Sequence, residues 1–131
     1  MKYEFFPHTA DAKFRAYGKN IEEQFSNAAL AMTSIMFDPA KIKPVIKKEI
    51  KIKGLDLKSL LYNWLEELLF LLDTQFFLLN KVEKIEMTGT TLKAVIYGDK
   101  APNYKTSGDV KAVTYQEMDI KKDYIQVIVD I

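Results

Sequence analysis

Near the start of the chain, "HTAD" places His8, Thr9 and Asp11 within four positions. Asp11 can act as an anionic oxygen ligand or as an acid–base group, with His8 as its neighbour. The same residues also suit an ordinary turn, because Asp and Thr side chains satisfy nearby backbone groups. Spacing alone favours the turn. His8 as a zinc ligand is a weaker reading still, because there is no second histidine and no cysteine to complete a site.

The far end, "VIVDI", supplies a second group of oxygens. A last apolar strand, Tyr124 to Val129, would fix the two residues after it. Asp130 presents a side-chain carboxylate and Ile131 an α-carboxylate. If Asp11 lies beside them, three carboxylates converge. Like charges at close range raise one another's pKa. A hard divalent cation resolves that conflict, Ca²⁺ taking roughly six to eight oxygens and Mg²⁺ roughly six. The competing reading is a frayed end, the common state of a terminus, and the residues alone favour it.

Two further stretches carry polar chemistry. Lysines run from Lys41 to Lys53 and can meet phosphate. They alternate with isoleucines, however, which reads first as a solvated strand edge protected against aggregation. Arg15 is the only arginine, and bidentate phosphate recognition usually recruits arginine. In "DVKAVTYQEMDI", Lys111, Thr114, Tyr115 and Gln116 enter a strand from a polar loop. They line either a cleft or an ordinary solvated face. Gly-rich phosphate loops, G-x-S-x-G elbows and H-E-x-x-H are absent. No complete catalytic set can be named.

The elements that must position these residues follow from period and punctuation. Tyr3–Pro7 and Ala12–Tyr17 read as strands. Ile21, Phe25, Ala28, Ala29, Met32, Ile35 and Met36 mark one helical face. Asn20 caps that helix, with Glu23 placed to close a capping box. Pro39 and Pro44 stop it. Ile46, Ile50 and Ile52 alternate with lysines as a half-buried strand. Asp56 caps a second helix with a wide leucine face from Leu57 to Leu72 around Trp64. Val82–Met87 and Leu92–Tyr97 flank the "TGTT" turn. "GDKAPNYKTSGD" reads as a long loop. "KAVTYQEMDI" and "YIQVIVDI" form a second hairpin. The order is β-β-α-β-α-β-β-β-β, an α+β fold in which two long helices pack on a mainly antiparallel sheet.

With 131 residues, the chain fits one domain, residues 1–131, since domains run to roughly 100–200 residues. Nineteen basic against eighteen acidic residues leave the bulk charge uninformative about nucleic acid. The absence of cysteine fits a reducing compartment, and the first residues have no signal-peptide core. The apolar tract Leu55–Leu79 is broken by charges, so no membrane span is expected. A cytoplasmic protein is the expectation.

Four segments together resemble the archease family. They are "HTAD" with "RAYGKNIEEQFSNAALAM" behind it, "LLYNWLEELLFLLD", "VKAVTYQEM" and the final "DI". They stand in the family's order and span nearly the whole chain. The resemblance implies a partner-directed role rather than an enzyme. Archeases activate RtcB-type RNA-splicing ligases by promoting the ligase–guanylate intermediate and multiple turnover, and meet RNA only indirectly, through the ligase. It also implies a metal site at Asp11, Asp130 and Ile131, holding a divalent ion, Ca²⁺ in the usual assignment, with Mg²⁺ or Mn²⁺ as alternatives. His8, Lys111, Thr114 and Tyr115 are accessory candidates. The chain departs from the family's pattern at Ala12 and Lys13, where "HTADIG" is common, and at Gln116, where the third motif commonly has histidine. Two rival readings remain: an RNA-binding module built on the lysine strand, and a chaperone-like adaptor with no functional metal.

Overall fold

A computed structural model describes all residues, 1–131. The strands are β1 (Tyr3–Phe6), β2 (Asp11–Tyr17), β3 (Ile46–Lys53), β4 (Phe77–Thr88), β5 (Thr91–Lys100), β6 (Ala112–Ile120) and β7 (Tyr124–Asp130). The helices are α1 (Ile21–Ser34) and α2 (Leu57–Gln75). The expected α+β class and element order are borne out. The strands divide into two sheets, β1-β2-β7-β6 and β3-β5-β4. Every pairing is antiparallel.

Alternation turns one face of each sheet inward. Phe14, Ala16, Ile125, Val127 and Val129 come from the first sheet, and Ile50, Ile52, Leu92, Ala94 and Ile96 from the second. Both helices touch strands of both sheets, so a single apolar cluster takes in all of these residues. Trp64 sits fully buried in it, and its indole N–H donates to the Phe25 carbonyl at 2.9 Å. That bond ties α2 to α1 and satisfies the one polar atom of the largest core side chain. No helix is long and apolar enough to cross a membrane.

Local signals explain most boundaries. The Asn20 side chain accepts from the Glu23 N–H at 2.8 Å. The reciprocal capping box closes on the other helix, where the Asp56 side chain accepts from the Ser59 N–H and the Ser59 hydroxyl accepts from the Asp56 N–H. At the β4–β5 hairpin, Gly89 has φ 59°, and a two-residue turn of the II′ kind requires that region at its first central position.

Two boundaries differ from the sequence reading. Strand β4 starts at Phe77 rather than Val82, directly after Phe76, which caps α2 with φ 56°. Such a cap is usually glycine, so no stop signal separates the helix leucines from Phe77, Leu78 and Leu79. The loop after β5 is also shorter than expected. Strand β5 runs on to Lys100, and a 3₁₀ turn follows at Ala101–Asn103.

Strand β5 lies between its two neighbours, and Gly98 sits near its end. A Cβ there would lie 2.1 Å from the Leu78 carbonyl oxygen, a backbone atom that cannot swing aside. Gly98→Ala should therefore force β4 away from β5 and lower stability by about 2–4 kcal/mol. Thermal or urea unfolding measures this, and an unchanged midpoint would contradict the close approach.

Candidate functional site

The pairing of β2 with β7 sets the geometry. Ala12, Phe14 and Ala16 pair with Val129, Val127 and Ile125, and these side chains face the core. Asp11 pairs with Asp130, so the two project together on the outer face. Directly opposed residues have Cβ atoms about 4.5–5.5 Å apart. The Asp11 side chain is mostly covered, whereas Asp130 and Ile131 are exposed. The fold thus brings together Asp11 and Asp130, two of the three residues named as a metal site, and Ile131 follows Asp130 in the chain. The aspartates alone do not complete one, since no group of three or more His, Cys, Asp or Glu side chains is arranged to hold a metal ion.

The turn between β1 and β2 folds His8 back over the start of β2. Its Nδ1 bonds Asp11 Oδ1. Its Nε2 lies 3.2 Å from Glu117 Oε2, and Lys13 Nζ donates to Glu117 Oε1 at 2.9 Å. A ring with a carboxylate on each nitrogen is best served as imidazolium, with both nitrogens donating. The histidine pKa is accordingly raised above its ordinary 6.5, first by the Glu117 hydrogen bond and next by the Asp11 bond. The Glu117 carboxyl is held below its usual range, first by Lys13 and then by His8. The result is an alternating chain of charge, Asp11–His8–Glu117–Lys13, beside the exposed Asp130.

Backbone strain gathers at this cluster. Only three non-glycine residues have positive φ, and two are Ala10, at 62°, and Glu117, at 52°. Each such conformation costs on the order of 1–3 kcal/mol and is kept only where its surroundings impose it. Ala10 turns the chain so that His8 reaches Asp11. Glu117 sits in the irregularity that breaks β6–β7 pairing between Thr114 and Asp119. Its own carbonyl accepts from the Gln126 side-chain amide at 2.8 Å.

The accessory candidates separate. His8 is within the cluster. Lys111 lies just ahead of β6, and its backbone N–H donates to the Asp130 carbonyl at 2.8 Å, which places it beside the paired aspartates. Thr114 spends its hydroxyl on backbone, donating to the Ile128 carbonyl at 2.8 Å. Tyr115 stacks on Tyr62 of α2 with ring centroids 4.5 Å apart. Neither Thr114 nor Tyr115 hydrogen-bonds to the cluster.

Lys13 and Glu117 belong to it without having been singled out by motif. The signal for Glu117 is a break in alternation. Val113 and Met118 are both buried yet five positions apart, so strict period two fails between them and a bulge must intervene.

Because folding raises the pKa of His8, its clamp stabilises the protein fully below the unfolded pKa and is lost as pH rises through the folded value. A single histidine makes this directly measurable. In metal-free solution the imidazole NMR signals should titrate above 6.5. Glu117→Gln should bring the midpoint down toward the ordinary value. A wild-type midpoint at or below 6.5 would show that the two-carboxylate clamp does not form.

Comparison with known proteins follows this geometry. A model of the archease protein family matches residues 3–131. The chain is 44% identical over 124 residues to a protein archease of Sulfurisphaera tokodaii, covering 92% of this chain and 89% of that one. It is 40% identical over 140 residues to a protein archease of Methanosarcina mazei, covering 99% and 96%. The solution structure of Methanobacterium thermoautotrophicum protein 1598 superposes with a TM-score of 0.82, at 35% identity and 99% coverage of both chains. A crystal structure from Thermotoga maritima, described as an archease and possible chaperone, shares the fold with a TM-score of 0.59 at 19% identity, covering 95% of this chain and 92% of that one. With nearly its whole length matched, this chain belongs to the archease family.

Proposed function

We propose that this protein is a cytoplasmic, non-catalytic activator of an RtcB-type RNA-splicing ligase, acting through a cation held at Asp11, Asp130 and Ile131. The observation that carries the reading is the direct pairing of Asp11 with Asp130 at the open end of the β2–β7 pair. Opposed like charges are unfavourable in an antiparallel sheet. His8 relieves Asp11, but no basic side chain forms an ion pair with Asp130. A divalent ion would supply that charge, with the α-carboxylate of Ile131 as the third anionic donor.

The donor set is all oxygen, which fits a hard cation, Ca²⁺ first and Mg²⁺ or Mn²⁺ as alternatives. Bound there, the ion would offer compact positive charge to oxyanions at the partner's active site. The chain's own residues do the rest. The strand pairing holds the aspartates together, and His8 with Glu117 and Lys13 fixes the orientation of Asp11. Asp130 and Ile131 are exposed, where a partner can reach them. Activation requires that this tip bind one state of the ligase better than another, the competent state for guanylylation. RNA joining itself would remain the ligase's reaction.

A second reading, a chaperone-like adaptor with structural carboxylates, draws on the description of the Thermotoga maritima structure as a possible chaperone. Asp11→Ala separates the two. The activator reading expects loss of stimulated guanylylation of a cognate ligase, by about tenfold or more if the ion contributes at least 1.4 kcal/mol to the competent state, together with loss of Ca²⁺ binding by calorimetry. The adaptor reading expects a lower melting temperature with stimulation intact. Equal stimulation by a folded Asp11→Ala protein would reject the role of the site.

Use of the α-carboxylate generates another expectation. A tag appended after Ile131 should impair both Ca²⁺ binding and activation, because it converts that carboxylate into an amide. The same tag placed before Met1 should be harmless. A fully active C-terminally tagged protein would remove Ile131 from the ligand set.

A further inference from the structure

The second sheet carries a feature that the acidic tip does not use. Its outward side chains form four rows across β3, β5 and β4: Lys47–Tyr97–Lys81, Glu49–Val95–Lys84, Lys51–Lys93–Glu86 and Lys53–Thr91–Thr88. These rows hold six lysines and two glutamates, with Glu83 adding a carboxylate 3.0 Å from Lys81, whereas the whole chain nearly balances at 19 basic and 18 acidic residues. Both glutamates already have lysine partners, with Lys84–Glu86 at 3.1 Å and Lys47–Glu49 at 3.9 Å. Lys51, Lys53 and Lys93 have no carboxylate within ion-pair distance. These three line a shallow groove of about 400 Å³ with Thr88, Thr91 and Glu86. A second groove of about 330 Å³ shares Lys51, Lys93 and Glu86 with it and continues along the sheet.

We infer that this face docks the backbone of single-stranded RNA, with Lys51, Lys53 and Lys93 meeting phosphates and Tyr97 offering a ring to a base. Charge complementarity and composition choose the occupant. Protein–protein interface cores are depleted in lysine and rich in apolar anchors. Here the only outward apolar residue of the four rows is Val95, with Tyr97 beside it. Nucleic-acid interfaces are polar and strongly positive. Same-face residues along a strand recur about every 6.7 Å, which sets Lys51 and Lys53 of β3 at that spacing with Lys93 of β5 paired to Lys51. Arginine is not required, because lysine meets phosphate as a point charge without base specificity. Tyr97 is half-buried and lies under Lys81 Nζ, 5.4 Å from the ring centroid. A sheet face with a ring beside cations suits base stacking along a single strand. The inference does not rest on the cation site, and it departs from the expectation that RNA is met only through the ligase, because the chain itself would bind RNA.

The test uses the full chain without any ligase and a fluorescein-labelled 12-nucleotide RNA of mixed sequence. Anisotropy titrations from low to moderate salt should show saturable binding that weakens with salt. The triple variant Lys51→Gln/Lys53→Gln/Lys93→Gln should reduce the log–log salt slope by about 2, the share of three phosphate contacts on a single strand. Tyr97→Leu should weaken binding by about tenfold and leave that slope unchanged. Asp11→Asn should bind RNA as wild type does. Three results would overturn the inference: no saturable binding at low salt, a triple variant indistinguishable from wild type, or polyglutamate displacing the RNA at equal charge concentration. The last would assign the face to an acidic protein segment. Ligase guanylylation measured without RNA keeps the two readings apart, since the triple variant should still stimulate it.

Discussion

Everything at the acidic tip depends on the register of β2 against β7. A slip of one residue would send every side chain of the strand to the opposite face. What prevents it is apolar burial on the inner side, where Phe14, Ala16, Ile125, Val127 and Val129 are all but inaccessible. Each large residue there contributes about 1.5–3 kcal/mol. Opposed like charges cost less than these residues together contribute, roughly 0.2–1 kcal/mol per pair. The core therefore wins, and the Asp11–Asp130 juxtaposition is imposed from the inside of the sheet. The hydrophobic pattern thus acts as the jig that holds two carboxylates together.

The remaining strain is handled locally. Ala10 and Glu117 adopt left-handed backbone without the freedom of glycine. What holds them is the charge chain from Asp11 through His8 and Glu117 to Lys13, with Gln126 fixing the Glu117 carbonyl. Gln126 is itself bound by the Arg15 guanidinium at 3.0 Å. Arg15 lies between Phe6 and Tyr124, 4.8 and 4.4 Å from their rings. The only arginine is thus spent on orienting the outer face of the first sheet, and the cations on the outward face of the second sheet are all lysine.

Much of this was legible in the sequence, for identifiable reasons. The isoleucine–lysine alternation of β3, the leucine face of α2 and the caps at Asn20 and Asp56 are short-range signals, and each lies where it was read. The element order followed from them. The division into two sheets was not readable, because which strands pair is decided by packing around both helices rather than by any one segment. The start of β4 was hidden because Phe76 ends the helix without glycine or proline. At the tip, the HTAD turn and the terminal aspartate were visible as chemistry, while Lys13 and Glu117 were not. Glu117 links them over long range, 109 positions from His8 and 104 from Lys13. Only the missing beat between Val113 and Met118 marks the place.

Net charge was the least informative of the sequence's summary numbers, and the fold explains why. A value of +1 is the difference of two large populations, and pleating sorts them. On β3 the period of two sends isoleucines inward and four of its odd-numbered residues, Lys47, Glu49, Lys51 and Lys53, outward. On β2 and β7 the same period delivers Asp11 and Asp130 to one spot. Charges separated by more than a Debye length, about 8–10 Å in physiological salt, are largely screened from each other. The lysine rows and the paired aspartates lie on different sheets. A nearly neutral chain can in this way carry two oppositely charged patches, because a β-sheet distributes charge by residue parity and not by composition.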